Sequence, residues 1–289
     1  MARSRLALVI IAATTILLAS CGGGGSSPAA TPQRKAMGIL VPLYGYPEIS
    51  SGSGASQVTQ ASPAWTAVAS GAALVPTIAI INPASGPVAC TNPASATLLA
   101  FQRGIAQLHA SGVTVLGYVH TSYGQRAQSA VLQDVQTYAQ CYGLDGIFFD
   151  EIAASASYAS YDAAIANAAR NGIKPPNGAP ALVAFNPGIY PDPLVAQSAD
   201  ITVMHESADL NVPAMPAALA TYPAAGWAYL AFGISQPLQD TLSKLFASGT
   251  GNVYITDQGV GGTDPWTQLA TNYMGLVQTI QALNRTAAP

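Results

Sequence analysis

Gly143-Leu144-Asp145-Gly146-Ile147-Phe148-Phe149-Asp150-Glu151 is the stretch that decides the fold. Its centre is a short apolar run that begins after a glycine and ends in two adjacent carboxylates. Such a run, rich in aromatic and β-branched residues, is typical of a strand buried on both faces in a parallel sheet. The two acids then mark the C-terminal end of the strand, where α/β folds collect their loops and functional groups.

Similar apolar runs alternate along the chain with alanine-rich helical stretches, which is the rhythm of a parallel α/β fold. The predicted strands are Ile39–Tyr44, Val75–Ile81, Thr114–Val119, Gly146–Asp150, Ala181–Asn186, Ile201–Glu206, Ala228–Phe232 and Val253–Asp257. Each is followed by a predicted helix, including Met215–Thr221 and Trp266–Leu283. This pattern predicts an α/β fold of one domain, a (β/α)8 TIM barrel over residues 38–285, with a tail at 286–289.

A doubly wound open sheet is the main alternative fold. Its dinucleotide-binding form needs Gly-x-Gly-x-x-Gly directly after the first strand. Here Gly45-Tyr46-Pro47-Glu48 follows instead, so the barrel is favoured and no cofactor is expected.

The first residues have the features of an export signal. Arg3 and Arg5 precede an apolar run, Leu6–Leu18, that is short for a membrane span. The next residues, Leu18-Ala19-Ser20-Cys21, resemble the bacterial lipobox. They predict a lipoprotein signal peptide over residues 1–20, lipidation of Cys21 and a Gly/Ser-rich tether over residues 21–37.

We therefore expect an exported protein, anchored by its lipid to a membrane of the bacterial cell envelope. Gly22 directly after the cysteine resembles the pattern of outer-membrane lipoproteins. An ordinary secretory peptide that contains a cysteine is the alternative.

Charge is sparse in this chain and slightly acidic. Only 8% of residues are charged, with 13 acidic and 10 basic residues, whereas about 25% is usual. Nucleic-acid binding needs a basic patch and is not expected. His109, His120, His205 and the cysteines show no metal-ligand spacing, so no metal site is expected either.

Cys90 and Cys141 remain once Cys21 is set aside. An oxidising compartment would permit a disulfide between them. The predicted elements place Cys90 in a loop after a strand and Cys141 at the end of a helix before the next strand. These positions lie at opposite ends of a barrel, so we expect the two cysteines to be unbridged.

Polar side chains follow most of the predicted strands, at the end where the mouth of a barrel forms. The acids there include Asp150, Glu151 and Glu206, and the other polar residues are Tyr44, Asn82, Tyr118, Thr121, Asn186, His205 and Asp257. Carboxylates over a barrel mouth suit cleavage of a glycosidic bond, in which one acid protonates the leaving oxygen and another acts as nucleophile or base. Crowding raises the pKa of one acid and leaves the other ionised.

Asp150 and Glu151 are neighbours, so on a regular strand their side chains would point to opposite faces. We expect Asp150 to face the barrel axis, with Glu206 across the mouth two strands away. The direction of Glu151 depends on where the strand ends.

A series of motifs in this order is similar to the spherulin-4 family, glycoside hydrolase family 135. The motifs are Leu40-Val41-Pro42-Leu43-Tyr44, Ile81-Asn82-Pro83-Ala84-Ser85-Gly86-Pro87, Val115-Leu116-Gly117-Tyr118-Val119-His120-Thr121-Ser122-Tyr123-Gly124-Gln125-Arg126, Asp145-Gly146-Ile147-Phe148-Phe149-Asp150-Glu151 and Phe185-Asn186-Pro187-Gly188. The resemblance covers nearly all of the chain after the tether.

The resemblance implies a TIM-barrel hydrolase of galactosamine-containing exopolysaccharide, a biofilm-type polymer with α-1,4-linked N-acetylgalactosamine units. The family's acids fall on Asp150 as nucleophile, Glu206 as acid/base and Glu151 as an orienting or alternative acid. We expect a monomer that cleaves within the polymer and retains configuration. The predicted substrate-binding residues are Tyr44, Asn82, Tyr118, Thr121, Tyr123, Arg126, Asn186, His205 and Asp257.

Two other functions stay open. One is a barrel that has lost catalysis and binds polysaccharide as an envelope lipoprotein. The other is a hydrolase of chitin-type polymers, which the absence of an Asp-x-x-Asp-x-Asp-x-Glu run at the fourth strand disfavours.

Overall fold

The computed structural model describes residues 35–52 and 57–286. Within them, eight parallel strands close into a barrel: β1 (Gly38–Leu43), β4 (Thr77–Ile81), β5 (Thr114–His120), β6 (Gly146–Asp150), β7 (Leu182–Phe185), β8 (Ile201–Ser207), β9 (Trp227–Ala231) and β10 (Asn252–Ile255). Their order around the barrel is β1-β10-β9-β8-β7-β6-β5-β4. The predicted (β/α)8 barrel is confirmed.

Helices lie between the strands and cover the outside of the barrel. They are α1 (Pro63–Gly71), α2 (Ala96–Ala110), α3 (Gln128–Cys141), α4 (Ala159–Gly172), α5 (Pro193–Ala196), α6 (Gln239–Ser248) and α7 (Tyr273–Thr286). The predicted helix Met215–Thr221 is only a 3₁₀ turn, Ala217–Leu219. Pro213, Pro216 and Pro223 flank or interrupt this segment, and proline removes helical hydrogen bonds.

The strand β6 has the bounds that the sequence predicts. Its first four residues are buried, and Phe149 packs edge-on against Phe185 of β7 with ring centroids 5.9 Å apart. The first residue of the strand, Gly146, has to be glycine because a Cβ atom there would lie 1.9 Å from the carbonyl oxygen of Leu182. This packing fixes where the strand ends and therefore where Asp150 lies.

A two-stranded antiparallel hairpin, β2 (Glu48–Ser51) and β3 (Val58–Ala61), follows β1 and stands outside the barrel. It is absent from the strands that the sequence predicts. Its residues are mostly polar and exposed, so the segment has the composition of a loop and lacks the apolar alternation that marks a strand.

The structure joins Cys90 and Cys141 in a disulfide, with Cα atoms 6.1 Å apart. The prediction of unbridged cysteines is therefore wrong. The segment after β4 runs along the barrel wall to the end of α3, where the backbone N–H of Val88 donates to the hydroxyl of Tyr142 over 2.9 Å. The loop after β4 thus starts at the mouth of the barrel and reaches the opposite end of the barrel.

The predicted signal peptide, Cys21 and most of the tether fall among residues 1–34, outside the described residues. Among the helices of residues 35–52 and 57–286, none has the length and apolar character needed to cross a membrane.

Candidate active site

Three residues from neighbouring strands meet at the C-terminal mouth of the barrel. Asp150 ends β6, Asn186 directly follows β7 and Glu206 lies on β8. The side-chain nitrogen of Asn186 donates to Oδ1 of Asp150 over 2.7 Å and also to Oε2 of Glu206. One amide group therefore bridges two carboxylates.

The orientation of the Asn186 amide is fixed by its other atom. Its Oδ1 accepts a hydrogen bond from the backbone N–H of Gly188 over 3.0 Å, so the nitrogen must face the acids. Gly188 has a φ of 67° and its carbonyl accepts from the N–H of Glu206. The turn after β7 thus holds both the bridging amide and the second acid.

The two carboxylates differ in how their surroundings shift their pKa values. Burial raises the pKa of Glu206 to about 7, and the nearby charge of Asp150 adds to the shift. Burial also raises the pKa of Asp150, but hydrogen bonds from the Glu151 backbone, Tyr118 and Asn186 oppose that shift. The surroundings of Glu206 therefore favour its protonated form, whereas the hydrogen bonds donated to Asp150 favour its ionised form.

Aromatic side chains form the walls around the pair. Tyr44 and Tyr118 pack edge to face with ring centroids 5.4 Å apart, and the Tyr118 hydroxyl bonds to Asp150. Burial, followed by the charge of Asp150, raises the pKa of both tyrosines, so both hydroxyls stay protonated. Trp266 closes another side, with a hydrogen bond to Glu206.

Glu151 occupies a different place from Asp150. Its backbone is left-handed, with a φ of 54°, and its carbonyl accepts from the Thr121 hydroxyl over 2.7 Å and from the Tyr123 N–H over 2.6 Å. Its Oε2 lies 3.8 Å from Nδ1 of His120, and 39% of the side chain is exposed. Asp150 therefore belongs to the buried pair, and Glu151 lies at the rim.

Thr121 and Tyr123 thus contact the acids through the backbone of Glu151. Partial burial raises the pKa of the Tyr123 hydroxyl, and the nearby charge of Glu151 adds to that shift. The Tyr123 side chain is 59% exposed. The ring of Tyr123 is therefore open to solvent.

Four predicted substrate-binding residues form their polar contacts elsewhere. Asn82 accepts from the N–H of Gly86 over 2.9 Å, and Arg126 pairs with Asp134 over 2.7 Å. His205 stacks on Tyr229 with centroids 4.4 Å apart and lies 3.6 Å from Asp209. Asp257 accepts from the N–H of Thr271 over 2.9 Å. These contacts shape loops and leave the bridged pair to Asp150, Asn186 and Glu206.

Trp266 differs from its predicted place at the start of a long helix. The helix begins at Tyr273 instead, and residues 263–272 form an irregular wall of the mouth. The glycines at 259, 261 and 262 mark a turn before this segment, but Asp264-Pro265 is itself a pattern that often starts a helix, so the sequence contains no signal that the helix begins only at Tyr273.

Fold and site together define a (β/α)8 barrel with a bridged pair of carboxylates at its C-terminal mouth. Residues 38–280 match the model of the Spherulation-specific family 4. Spherulin-4 of Physarum polycephalum is 34% identical over 261 residues, covering 85% of this chain and 70% of that protein. The chain belongs to this family, as the motifs predict.

Solved structures share the fold. Aspergillus clavatus Sph3 in complex with GalNAc superposes with a TM-score of 0.65 and 22% identity, covering 86% of this chain and 98% of Sph3. A chitinase from Chromobacterium violaceum superposes with a TM-score of 0.50 and 13% identity, covering 86% and 99% of the two chains. Both likenesses concern the barrel.

Proposed function

We propose that this protein is a glycoside hydrolase that cleaves galactosamine-containing exopolysaccharide at α-1,4-linked N-acetylgalactosamine units. The observation that carries the proposal is the bridge from Asn186 to Asp150 and Glu206 at the barrel mouth. A buried acid with a raised pKa beside an ionised carboxylate is the pair that hydrolysis of a glycosidic bond requires.

The bridge also supports the retaining mechanism. Because one Asn186 nitrogen donates to both acids, hydrogen bonds of ordinary length keep the bonded oxygens of Asp150 and Glu206 within about 6 Å of each other. Retaining glycosidases have carboxyl groups about 5–5.5 Å apart, whereas inverting ones need about 6.5–9.5 Å to fit a water molecule. The short separation leaves little room for that water.

In the proposed reaction, Glu206 gives its proton to the glycosidic oxygen while Asp150 attacks the anomeric carbon. The bond to the leaving sugar breaks, and a covalent glycosyl ester forms on Asp150. Glu206, now ionised, takes a proton from water, whose oxygen displaces Asp150 and restores both groups. Asn186 and Tyr118 hold Asp150 by hydrogen bonds in the ground state.

The choice of sugar rests on family membership and on Sph3, which was crystallised with GalNAc. Tyr44 and Tyr118 line the mouth, and their protonated hydroxyls are hydrogen-bond donors for a sugar. Tyr123 has an exposed ring for stacking on a sugar face. The proposed enzyme works within the chain of the polymer, as a monomer.

Release of reducing ends from a panel of purified amino-sugar polymers tests the proposal. We expect Asp150→Asn and Glu206→Gln each to lower the rate by about 10³-fold or more. Asp240→Asn, which makes the same change at an exposed helix position, should leave the rate unchanged. The anomer first formed, read by NMR, reports retention. Full activity of both mouth variants would exclude this pair, and tight binding of polymer without cleavage would favour a binding protein.

We also propose that lipid on Cys21 anchors the protein to the bacterial cell envelope, most simply at the outer membrane. The lipobox-like Leu18-Ala19-Ser20-Cys21 supports this location. Labelled palmitate should enter the wild-type protein and not Cys21→Ala. Equal labelling of both proteins, or none of the wild type, would contradict the anchor.

A further inference from the structure

A second groove lies outside the barrel mouth, between the β2–β3 hairpin and α2. It has a volume of about 610 Å³. Its residues come from both elements and include Ser50, Thr59 and Gln60 of the hairpin and Leu99, Arg103 and Gln107 of α2. None of these residues belongs to the catalytic pair or its walls.

Close packing and an ion pair hold the two sides of the groove together. Gly104 allows the hairpin to approach α2, because a Cβ atom there would lie 2.8 Å from Pro47 and 2.5 Å from Trp65. Glu48 accepts two hydrogen bonds from Arg103, over 2.6 and 2.9 Å, which fastens the hairpin to the helix. A bidentate pair of this kind has a defined geometry.

Tyr46 begins the groove next to the mouth. It follows Tyr44 of the mouth wall by two residues, its ring packs edge-on against Phe101 with centroids 5.8 Å apart, and 47% of it is exposed. A supported aromatic ring with an exposed surface is suited to stack on the apolar C–H face of a pyranose.

The other groups of the groove suit hydroxyl and amide partners. The side-chain amides of Gln60 and Gln107 can donate and accept hydrogen bonds, and the hydroxyls of Ser50 and Thr59, which bond to each other over 3.0 Å, can still accept. Arg103 uses only part of its guanidinium on Glu48, so its other N–H groups are available to donate.

The charges favour an uncharged ligand. Glu48 and Arg103 neutralise each other, so among the described residues that line the groove no carboxylate is left unpaired to hold a sugar ammonium group. An acetamido group needs no such partner, and its methyl group matches the exposed apolar side chain of Leu99.

We propose that this groove binds a segment of uncharged, N-acetylated amino-sugar polymer outside the reaction centre, with Tyr46 stacked on one pyranose ring. The inference rests on the proposed function and deepens it. The groove would hold a part of the polymer chain that is not being cleaved, so long substrates gain affinity that short ones do not.

Calorimetric titration of the full chain carrying Glu206→Gln tests the groove without hydrolysis. The probes are long α-1,4-linked N-acetylgalactosamine oligosaccharides, short ones that fill only the mouth, and the long ones after de-N-acetylation. We expect Tyr46→Ala to weaken binding of the long acetylated probe about tenfold, or about 1.4 kcal/mol. Binding of the short probe should not change, and the de-N-acetylated probe should bind weakly with either side chain.

Two matched variants control this result. Tyr46→Trp keeps an aromatic ring and should retain binding within about twofold. Ile49→Ala changes an exposed hairpin residue that does not line the groove, so it should have no effect. Thermal unfolding of each variant establishes that it is folded.

The inference is overturned if Tyr46→Ala binds the long acetylated probe as tightly as its parent, if short and long probes weaken equally, or if de-N-acetylated probe binds as well. These outcomes are separable from a failure of the proposed function. A protein that shows the Tyr46-dependent binding but cleaves no polymer has the groove without the reaction. A protein that cleaves polymer without depending on Tyr46 has the reaction without the groove.

Discussion

Asp150 and Glu151 are adjacent in the chain, yet their carboxylates have different environments. Asp150 bonds to Asn186 in the buried pair, whereas Glu151 lies 3.8 Å from His120 at the exposed rim. The left-handed backbone of Glu151 ends the alternation of the strand, and the second acid lies at the rim. The two acids therefore have different proposed roles.

The different environments of Asp150 and Glu151 predict that matched substitutions at the two positions lower kcat unequally. Asp150→Asn removes the proposed nucleophile and should lower kcat by about 10³-fold or more. Glu151→Gln keeps the shape of an exposed side chain and should lower kcat only about tenfold, the loss of one polar contact. Steady-state rates on one polymer measure both. An equal loss in both variants would mean that Glu151 also touches the reacting atoms.

The pKa of Glu206 predicts how the reaction depends on pH. Glu206 must carry a proton to act as the acid, and its pKa is about 7. The rate of the first step should therefore fall as pH rises through about 7, with slope −1 on a logarithmic scale. A profile of kcat/KM from pH 4 to 9 measures this fall. A rate that stays level to pH 9 would assign the proton donor to another group.

Removal of the bridging amide should move that profile in a defined direction. Donation by Asn186 stabilises the ionised forms of Asp150 and Glu206, so the pKa of each rises when the donor is lost. Asn186→Ala should therefore shift both limbs of the kcat/KM profile to higher pH and lower kcat. Asn177→Ala, in an exposed loop, serves as the control. A lower rate with unmoved limbs would indicate that Asn186 binds substrate and does not tune the acids.

The barrel and its acids follow from the sequence because the signals are local. Buried runs such as Gly146–Asp150 end in polar residues, and parallel strands bring their C-terminal ends to one mouth. This pattern alone is enough to predict that Asp150, Asn186 and Glu206 lie near one another. It does not show that Asn186 bonds to both acids, because that depends on the turn at Gly188.

The side chains that point elsewhere depend on details that a pattern of apolar residues does not contain. The strand β10 ends at Ile255, two residues earlier than predicted, so Asp257 joins the loop before α7. A bulge between Val203 and His205 shifts the register of β8, and His205 stacks on Tyr229. Bulges and strand ends are set by tertiary packing.

Asp162 predicts a dependence of stability on pH. Its side chain on α4 is 1% exposed, neither carboxylate oxygen has a hydrogen-bond partner in the described part of the chain, and burial raises its pKa to about 7. The unfolded carboxyl titrates near 3.8. Stabilisation by the protonated form is thus complete below about pH 4 and lost as pH rises to about 7.

Asp162→Asn keeps the shape of the side chain and cannot ionise. It should be more stable than the wild type at pH 8 by roughly 1–3 kcal/mol, with a much smaller difference at pH 4. Urea unfolding at both pH values measures the difference, with Asp240→Asn as the exposed control. Equal stability of the wild type and Asp162→Asn at pH 8 would show that the buried carboxylate has a partner.

The disulfide predicts a loss of stability on reduction. Cys90 and Cys141 close a loop with a sequence separation of 51 residues, so the bond restricts the unfolded chain. A loop of this size contributes about 2–4 kcal/mol to the free energy of unfolding. Cys90→Ser with Cys141→Ser should lose about that amount in urea unfolding, and reductant should lower the stability of the wild type and not of the double variant. Insensitivity of the wild type to reductant would mean that the cysteines are unbridged in solution.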